Sequence, residues 1–288
     1  MMFHTADTWA DAPRKRIMLF GMSGLGKSYI SNILRASTNW YHYSVDYRIG
    51  THYMGEHIVD LCKTEAMKNP LLADLLRSNS IFIGSNITFD NLSPLSTYLG
   101  KPGDPSKGGI RFEEYLRRQR LHRDAETGSM LDTAHFIERS ERIYGYQNFV
   151  CDTSGSLVEV VDPTDPNDPI MSTLADVILP VWIQGSDAHT DELAKRFDLA
   201  PKPMYYQEPF LVGLWDQYCR VNAVAEDQVD PDDFVRWGYL QLLEHRIPRY
   251  KAIADRWGIT IQATDLETVR SVDDFETVIQ NALNAHAH

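Results

Sequence analysis

The sequence predicts an α/β fold, a three-layer sandwich in which helices cover both faces of a mainly parallel, five-stranded sheet. Short apolar segments of strand length alternate along the chain with longer segments of helical periodicity, and this alternation is typical of parallel sheets buried between helices. A glycine-rich segment at residues 21–28 lies between the first strand and the first helix. Such a turn gathers backbone N–H groups at the start of a helix, so we expect an anion-binding turn there.

The N-terminal part of the chain predicts two strands of that sheet. Residues 16–20 form a short apolar strand, and residues 28–36 form a helix with apolar side chains on one face. Residues 40–46 are rich in aromatic side chains and predict a second strand that ends on Asp46.

The next segment is predicted to be mainly helical. Residues 50–77 have helical periodicity, and Pro70 is expected to separate two helices. A short buried strand is predicted at residues 80–85, because the segment is apolar, and a helix at residues 91–99. Residues 100–109 are predicted as a loop because of their glycine and proline content.

The central segment predicts a long helix and a further strand. Residues 112–144 have helical periodicity, with an interruption expected near residues 127–129. A strand that begins at residue 148 ends on the acid Asp152. Residues 162–169 are predicted as a stiff, proline-rich loop.

The C-terminal part continues the alternation of strands and helices. The predicted elements are a strand at 177–185, a helix at 187–197, a helix at 232–257 with a kink at Pro248, a strand at 258–263 and a helix at 272–283 capped by Ser271. We expect one domain over residues 1–288, with its core at about 16–50, 148–200 and 256–285, a helical insertion at about 51–147 and a helical segment at about 205–255.

Composition excludes several classes of protein. The 28 Lys and Arg residues against 40 Asp and Glu give a net charge of −12, so nucleic acid is not an expected partner. No apolar run reaches the roughly 18 residues of a membrane span, and we expect no membrane partner. Cys62, Cys151 and Cys219 are too few and too widely spaced for a disulfide framework or a zinc site. A reducing, cytoplasmic location fits this cysteine usage.

Residues 21–28 form a complete Walker A pattern, and this is the most specific signal in the chain. They read Gly-Met-Ser-Gly-Leu-Gly-Lys-Ser. The pattern predicts that backbone N–H groups cradle the phosphates of a nucleoside triphosphate, with ATP and Mg²⁺ as the expected cofactors. The Lys27 ammonium is expected to reach the β- and γ-phosphates and to be catalytic, and the Ser28 hydroxyl to ligate the metal. The expected nucleotide-binding residues are Gly21, Met22, Ser23, Gly24, Leu25, Gly26, Lys27 and Ser28.

Two acids compete for the role of second metal ligand. Asp152 follows an apolar strand, as in the Walker B pattern, and we expect it to hold the metal; Asp46, which also ends a strand, is the alternative. Asp46 is otherwise expected to accept a proton from an acceptor hydroxyl, while Arg48 clamps a phosphate or carboxylate on that acceptor. The competing interpretation of Asp46 and Arg48 is a surface ion pair.

Positive charge for the transferred group has two predicted sources. Lys195 and Arg196 follow the strand at 177–185 and are candidates for a lid over the triphosphate. The run at residues 117–123 contains four arginines, and Arg117 and Arg120 are the candidates for binding the acceptor. A charge run is usually a solvated helix face, so that interpretation stays open for each arginine.

Residues 21–28 resemble the phosphate-binding loop of small-molecule and nucleotide kinases of the P-loop class, such as shikimate, gluconate, adenylylsulfate and nucleoside monophosphate kinases. Residues 44–48, Ser-Val-Asp-Tyr-Arg, are similar to the acceptor element of those families, and the segment after Gly185 resembles their lid helix. The resemblance implies a P-loop NTPase fold, ATP with Mg²⁺, and phosphorylation of a hydroxyl, phosphate or sulfate. The chain departs from these families in its length and in its large insertion, and it also resembles bacterial proteins described only as ATPase-like.

The leading hypothesis is a kinase that transfers phosphate from ATP to a small or nucleotide-like acceptor. A switch or regulatory ATPase without such an acceptor is the alternative, and a ring ATPase is a weaker form of it. A guanine-specific switch is disfavoured because the chain has no Asn-Lys-x-Asp motif, and the intact Lys27 and Ser28 disfavour a module that only binds nucleotide. A homodimer is one option for the assembly.

Overall fold

Apolar strands form a single parallel sheet in residues 5–286, the part of the chain that the computed structural model describes. The first four and last two residues of the predicted domain lie outside this part. The strands, in chain order, are β1 (Arg16–Phe20), β2 (Trp40–Ser44), β3 (Asn148–Asp152), β4 (Leu179–Gln184) and β5 (Ile259–Gln262). Their order across the sheet is β2-β3-β1-β4-β5, and each neighbouring pair is parallel.

The strand order places β1 in the middle of the sheet, between β3 and β4. The chain leaves β1 toward β2 on one side and later crosses to β4 on the other, so the order reverses at β1. In open α/β sheets, ligands bind beyond the carboxyl ends of the strands at such a point. Residues 17–20 of β1 and residues 179, 181 and 183 of β4 have no solvent-exposed area, as expected for a parallel sheet covered on both faces.

The chain divides into two compact units. The first unit contains the residues up to 45, residues 127–200 and the residues from 236 onward, and it holds all five strands. The second contains residues 46–126 and 201–235. The helices, in chain order, are α1 (Ala6–Ala10), α2 (Lys27–Ala36), α3 (Val45–Arg48), α4 (Gly55–Ala66), α5 (Pro70–Arg77), α6 (Ser93–Leu99), α7 (Phe112–Tyr144), α8 (Pro169–Leu174), α9 (Asp187–Leu199), α10 (Glu208–Asn222), α11 (Pro231–Trp257), α12 (Ala263–Leu266) and α13 (Val272–His286).

Each unit has its own packed interior. In the sheet-containing unit α1 and α13 pack against each other and α2 packs on the sheet. In the second unit Trp215 stacks on Phe112 with ring centroids 4.5 Å apart and meets the edge of Phe234 at 5.0 Å. No helix in the described part of the chain is both long and apolar enough to cross a membrane.

Most predicted elements are confirmed within one to three residues, including the separation of α4 from α5 at Pro70 and the cap of α13. Pro70 is the first residue of α5, and Ser271 Oγ accepts a hydrogen bond from the Asp274 amide at 3.2 Å. A π-helix at Ile49–Tyr53, which the sequence did not predict, joins α3 to α4.

Two predicted elements are wrong. Residues 80–85 form no strand, and Phe82 is 90 % exposed, because the segment pairs with no strand of the sheet. The expected break near residues 127–129 is absent, since α7 is continuous through Gly128. Glycine costs a helix about 1 kcal/mol relative to alanine, and here tertiary packing outweighs that cost. Met130 is fully buried, and the carbonyl of Ser129 accepts a hydrogen bond from the Tyr43 hydroxyl at 2.7 Å.

Candidate nucleotide-binding site

The glycine-rich turn follows β1 directly and depends on the absence of side chains at two positions. Gly21 has φ +139°, and a Cβ added there would lie 2.6 Å from the carbonyl oxygen of Ile183 on β4. Gly24 has φ +91°, and its added Cβ would lie 2.9 Å from Leu193 on α9. Both φ values lie in the region that favours glycine. The turn therefore packs closely against two neighbouring elements, and its last two residues are the first two of α2, which begins at Lys27.

The Lys27 side chain is folded into this turn. Lys27 is 7 % exposed, and its Nζ donates to the carbonyl oxygens of Gly21 at 2.8 Å and Met22 at 3.1 Å. The ammonium is thus held at the first residues of the turn, next to the N-terminus of α2. A helix N-terminus with backbone N–H groups and one cation is an arrangement that binds phosphate.

Ser28 and Asp152 meet beside the turn. The Ser28 hydroxyl donates to Asp152 Oδ2 at 2.8 Å, and Asp152 is 7 % exposed. The pairing of Leu19 with Asp152 in the β1–β3 register brings the last residue of β3 level with the end of β1, which explains how residues 124 positions apart come together. His42 of β2 lies close by, with its Nε2 3.7 Å from the same Oδ2 atom.

The Ser28 hydroxyl and the Asp152 carboxylate fit a Mg²⁺ site. They are too few to hold a metal ion whose ligands all come from the protein. Mg²⁺ binds through one or two protein oxygens together with waters and substrate phosphates. Within residues 5–286 no group of three or more His, Cys, Asp or Glu side chains is arranged to hold a metal ion. A hydroxyl and one carboxylate beside this glycine-rich turn therefore fit the protein's share of a Mg²⁺ ligand set.

An open cavity of about 440 Å³ adjoins the turn. Its size is within the range of small-molecule sites. On one side the Arg270 guanidinium donates to the Tyr29 hydroxyl at 3.2 Å, and that hydroxyl donates to the carbonyl of Val269 at 2.9 Å. On another, His189 Nε2 lies 3.8 Å from Glu267 Oε1. The lining residues are Gly24, Leu25, Gly26, Tyr29, His189, Ala263, Leu266, Glu267 and Arg270.

Sequence reasoning missed most of the residues that line this cavity. Ala263, Leu266 and Glu267 follow β5, and the rule that ligands gather beyond the carboxyl ends of parallel strands points to that segment. The cavity suits a nucleoside, because it combines apolar and aromatic surface with a few charged groups.

The lid candidates lie on α9. This helix is capped by Ser186, whose hydroxyl accepts a hydrogen bond from the His189 amide at 3.4 Å. Lys195 and Arg196 are both exposed, and the Arg196 guanidinium bonds to Glu192 Oε1 of the same helix at 3.1 Å. Neither side chain takes part in the hydrogen bonds of Lys27 and Ser28 described above. The role of Lys195 and Arg196 as a lid stays a prediction.

The candidates for acceptor binding lie in the second unit. Asp46 and Arg48 are half-buried in α3, and the Arg48 guanidinium lies 5.6 Å from the ring centroid of Tyr53. Arg120 is exposed and bonds to Glu208 with its Nε 2.9 Å from Oε2. Their contacts do not test the predicted role, which stays a prediction.

Arg117 forms a bidentate pair with Glu114. Its Nε and Nη2 donate to the two carboxylate oxygens at 2.7 and 2.8 Å. The hydrogen bond from Arg117 lowers the pKa of Glu114 to about 2, with Arg118 adding to the effect against the opposing influence of partial burial. Arg118, not Arg117, is the buried arginine of this run, at 8 % exposure, and it also donates to the carbonyl of Tyr98.

The chain has little detectable similarity to known proteins. No protein-family model matches the chain, and no curated protein matches it. Among solved structures, a shikimate kinase from Bacteroides thetaiotaomicron is similar to the chain at 15 % identity, covering 94 % of this chain and 98 % of the kinase, with a TM-score of 0.42. A likeness of that size carries no argument about activity.

The predicted fold class is confirmed by the molecule itself. It is an α/β three-layer sandwich with an entirely parallel, five-stranded sheet, and a glycine-rich turn joins its central strand to α2. Helices cover both faces of the sheet, as the buried strands require.

Proposed function

We propose that the protein is an ATP- and Mg²⁺-dependent phosphotransferase that acts on a small or nucleotide-like acceptor. The observation that carries the proposal is the hydrogen bond between Ser28 and Asp152 beside the buried Lys27. These three side chains supply a cation for the phosphates and oxygen ligands for a metal, which are the parts that phosphoryl transfer requires.

The phosphates would lie in the turn at residues 21–28. Backbone N–H groups of the turn and of the first residues of α2 would donate to phosphate oxygens. The Lys27 ammonium would exchange its two carbonyl partners for oxygens of the β- and γ-phosphates, where an ion pair is stronger than a hydrogen bond to a neutral group. Ser28 and Asp152 would hold Mg²⁺, which when bound neutralises charge on the phosphates.

The nucleoside would occupy the cavity between the turn and the segment after β5. The Tyr29 ring and Leu266 supply apolar surface, and Glu267 and Arg270 supply polar groups that could select a base. ATP is the expected nucleotide because the chain lacks a guanine-reading Asn-Lys-x-Asp motif.

Asp46 and Arg48 are the first candidates for handling the acceptor. Asp46 would take the proton from an acceptor hydroxyl, and Arg48 would bind an anionic group of the acceptor. This assignment rests on their position in the chain, directly after β2. Arg117 and Arg120 are further candidates, and each binds a carboxylate that an acceptor would have to displace.

ATP turnover with and without acceptors tests the proposal. Purified protein would be assayed for ADP release with Mg²⁺, alone and with panels of hydroxyl compounds, phosphorylated compounds and nucleosides. We expect at least one acceptor class to raise turnover well above hydrolysis and to yield a phosphorylated product by mass spectrometry. Equal ATP hydrolysis with and without every acceptor would favour the alternative, a switch or regulatory ATPase.

A further inference from the structure

The segment after β3 is held by side chains from α11. Within the sheet-containing unit, Arg249 donates from Nε and Nη2 to the carbonyl of Val158 at 2.9 and 2.8 Å, and from Nη2 to the carbonyl of Val161 at 3.0 Å. Arg246 and Tyr250 lie within one turn of Arg249 on the same helix. Together these three residues satisfy backbone carbonyls along the segment that starts at the proposed metal ligand, Asp152.

Arg246 and Tyr250 both bond to one carbonyl group, that of Gly155. Arg246 Nη1 donates to it at 2.9 Å, and the Tyr250 hydroxyl also donates to it. Arg246 is 1 % exposed and Tyr250 is fully buried. Two buried donors on a single carbonyl fix the position of that peptide more firmly than one turn hydrogen bond would.

The Arg246 guanidinium is itself fixed by Glu159. Its Nε donates to Glu159 Oε1 at 2.7 Å, and His245 Nε2 lies 3.5 Å from the other carboxylate oxygen. Burial alone would raise the pKa of Glu159, but Arg246 and His245 together hold that pKa below its ordinary value. The carboxylate is therefore charged in the folded protein, and it orients Arg246 toward Gly155.

The other side of Gly155 touches the phosphate-binding turn. A Cβ added at Gly155 would collide with Ser23 Oγ and would lie 3.2 Å from the backbone N of Ser23. Gly155 does not have the positive φ that would favour glycine. Glycine is needed here for space, and the peptide that follows β3 lies directly against the residue in the middle of the turn.

We propose that Tyr250 and Arg246 are positioning residues that hold the phosphate-binding turn in shape through Gly155. The path runs from α11 to the Gly155 carbonyl, and from the Gly155 Cα to Ser23, whose backbone N–H belongs to the proposed phosphate cradle. The inference rests on the proposed nucleotide binding at residues 21–28 and deepens it by naming what keeps that site ready for phosphate.

Tyr250→Phe tests the inference with the smallest structural change. It removes one donor from the Gly155 carbonyl and keeps the ring, whose centroid lies 6.2 Å from that of Phe20. We expect the Kd and KM for ATP to rise about three- to tenfold, as the loss of one buried hydrogen bond implies, with a smaller change in kcat. Isothermal titration and steady-state kinetics would measure these constants.

Arg249→Met is the matched control. It removes donors from Val158 and Val161, on the same segment and from the same helix, but it leaves Gly155 untouched. We expect a lower melting temperature in this variant and a Kd for ATP within about twofold of wild type. A merely structural role for α11 would instead weaken ATP binding in proportion to the loss of stability in both variants.

Gly155→Ala alters the contact between Gly155 and Ser23 directly, because the added methyl group faces Ser23. We expect ATP binding to weaken by about tenfold or more, since the backbone of Ser23 has to move away from the new methyl group. Removing the Ser23 hydroxyl relieves part of the collision, so the double variant Ser23→Ala/Gly155→Ala should bind ATP more tightly than Gly155→Ala alone. This rescue is a coupling that two independent structural defects would not show.

The outcomes separate the inference from the proposed function. If wild-type protein binds ATP and Tyr250→Phe binds it equally well, or if Arg249→Met weakens binding as much as Tyr250→Phe, the positioning role is refuted while nucleotide binding stands. If wild-type protein binds no ATP, the proposed function fails and the inference fails with it. Selective weakening in Tyr250→Phe and Gly155→Ala supports both.

Discussion

The turn at residues 21–28 and the arginine run on α7 both concentrate N–H donors, but they hold positive charge in different ways. Lys27 is buried and donates to two neutral carbonyl groups of its own turn. Arg117 and Arg120 are exposed and form bidentate pairs with the carboxylates of Glu114 and Glu208.

Under the proposed function, the difference bears on what a phosphate would have to displace at each site. A carbonyl oxygen carries only a partial charge, so a phosphate oxygen can replace it with a gain in electrostatic energy. A carboxylate carries a full charge, and displacing it from an arginine exchanges one ion pair for another. The hydrogen-bond partners of a cation are therefore more informative than the density of basic residues along the sequence.

The largest effect is expected from Lys27→Met. Removing the ammonium should lower ATP turnover by at least about a hundredfold, the size of effect seen when one donor to a developing negative charge is lost. Lys251→Met is the control, because Lys251 is exposed and pairs with Asp255 one turn away. Turnover assays and circular dichroism should show an inactive but folded Lys27 variant beside an active control. An active Lys27→Met protein would contradict the proposal that the Lys27 ammonium binds the phosphates of ATP.

The next largest effect distinguishes Asp152 from Asp46 as the carboxylate ligand of Mg²⁺. Asp152→Asn should raise the Mg²⁺ concentration for half-maximal turnover by about 10- to 100-fold, because a carboxylate next to Ser28 is lost. Asp46→Asn should lower kcat and leave that concentration unchanged. Magnesium titrations of both variants at saturating ATP would decide the point. The opposite pattern would make Asp46 the metal acid.

The sequence predicted the parts of the molecule that depend on local pattern. The turn at residues 21–28 and all five strands were found because glycine spacing and apolar runs are local properties of the chain. The closeness of Ser28 to Asp152 was also predictable, because parallel strands bring their carboxyl ends to one edge of a sheet.

The remaining features depend on which residues meet in three dimensions. The apolar run at residues 80–85 suggested a strand, but a strand requires a partner, and no strand within residues 5–286 pairs with it. Gly128 suggested a break that tertiary packing overrides. The pair of Arg246 and Glu159 joins residues 87 positions apart, and no pattern in a single sequence marks an arginine on a long helix as buried.

The smallest expected effect is the pH-dependent stabilisation of the fold by Glu114, the carboxylate partner of Arg117. Hydrogen bonds from Arg117 lower the pKa of Glu114 to about 2. A carboxylate whose pKa is lower in the folded than in the unfolded chain stabilises the fold above its ordinary pKa, and that contribution disappears as the pH falls toward the folded value. The contribution should therefore be complete near pH 6 and should decline from about pH 5 downward.

Glu114→Gln isolates this contribution. Because the Glu114 side chain is 35 % exposed, solvent screening limits its effect to about 0.3–1 kcal/mol of unfolding free energy, or about 1–4 °C in melting temperature. Melting curves of wild type and Glu114→Gln should differ by that amount at pH 6 and converge as the pH approaches 2. A constant difference across this range would show that Glu114 stabilises α7 by packing and not by charge. Convergence would show that the charge of Glu114, held by these arginines, is what stabilises α7.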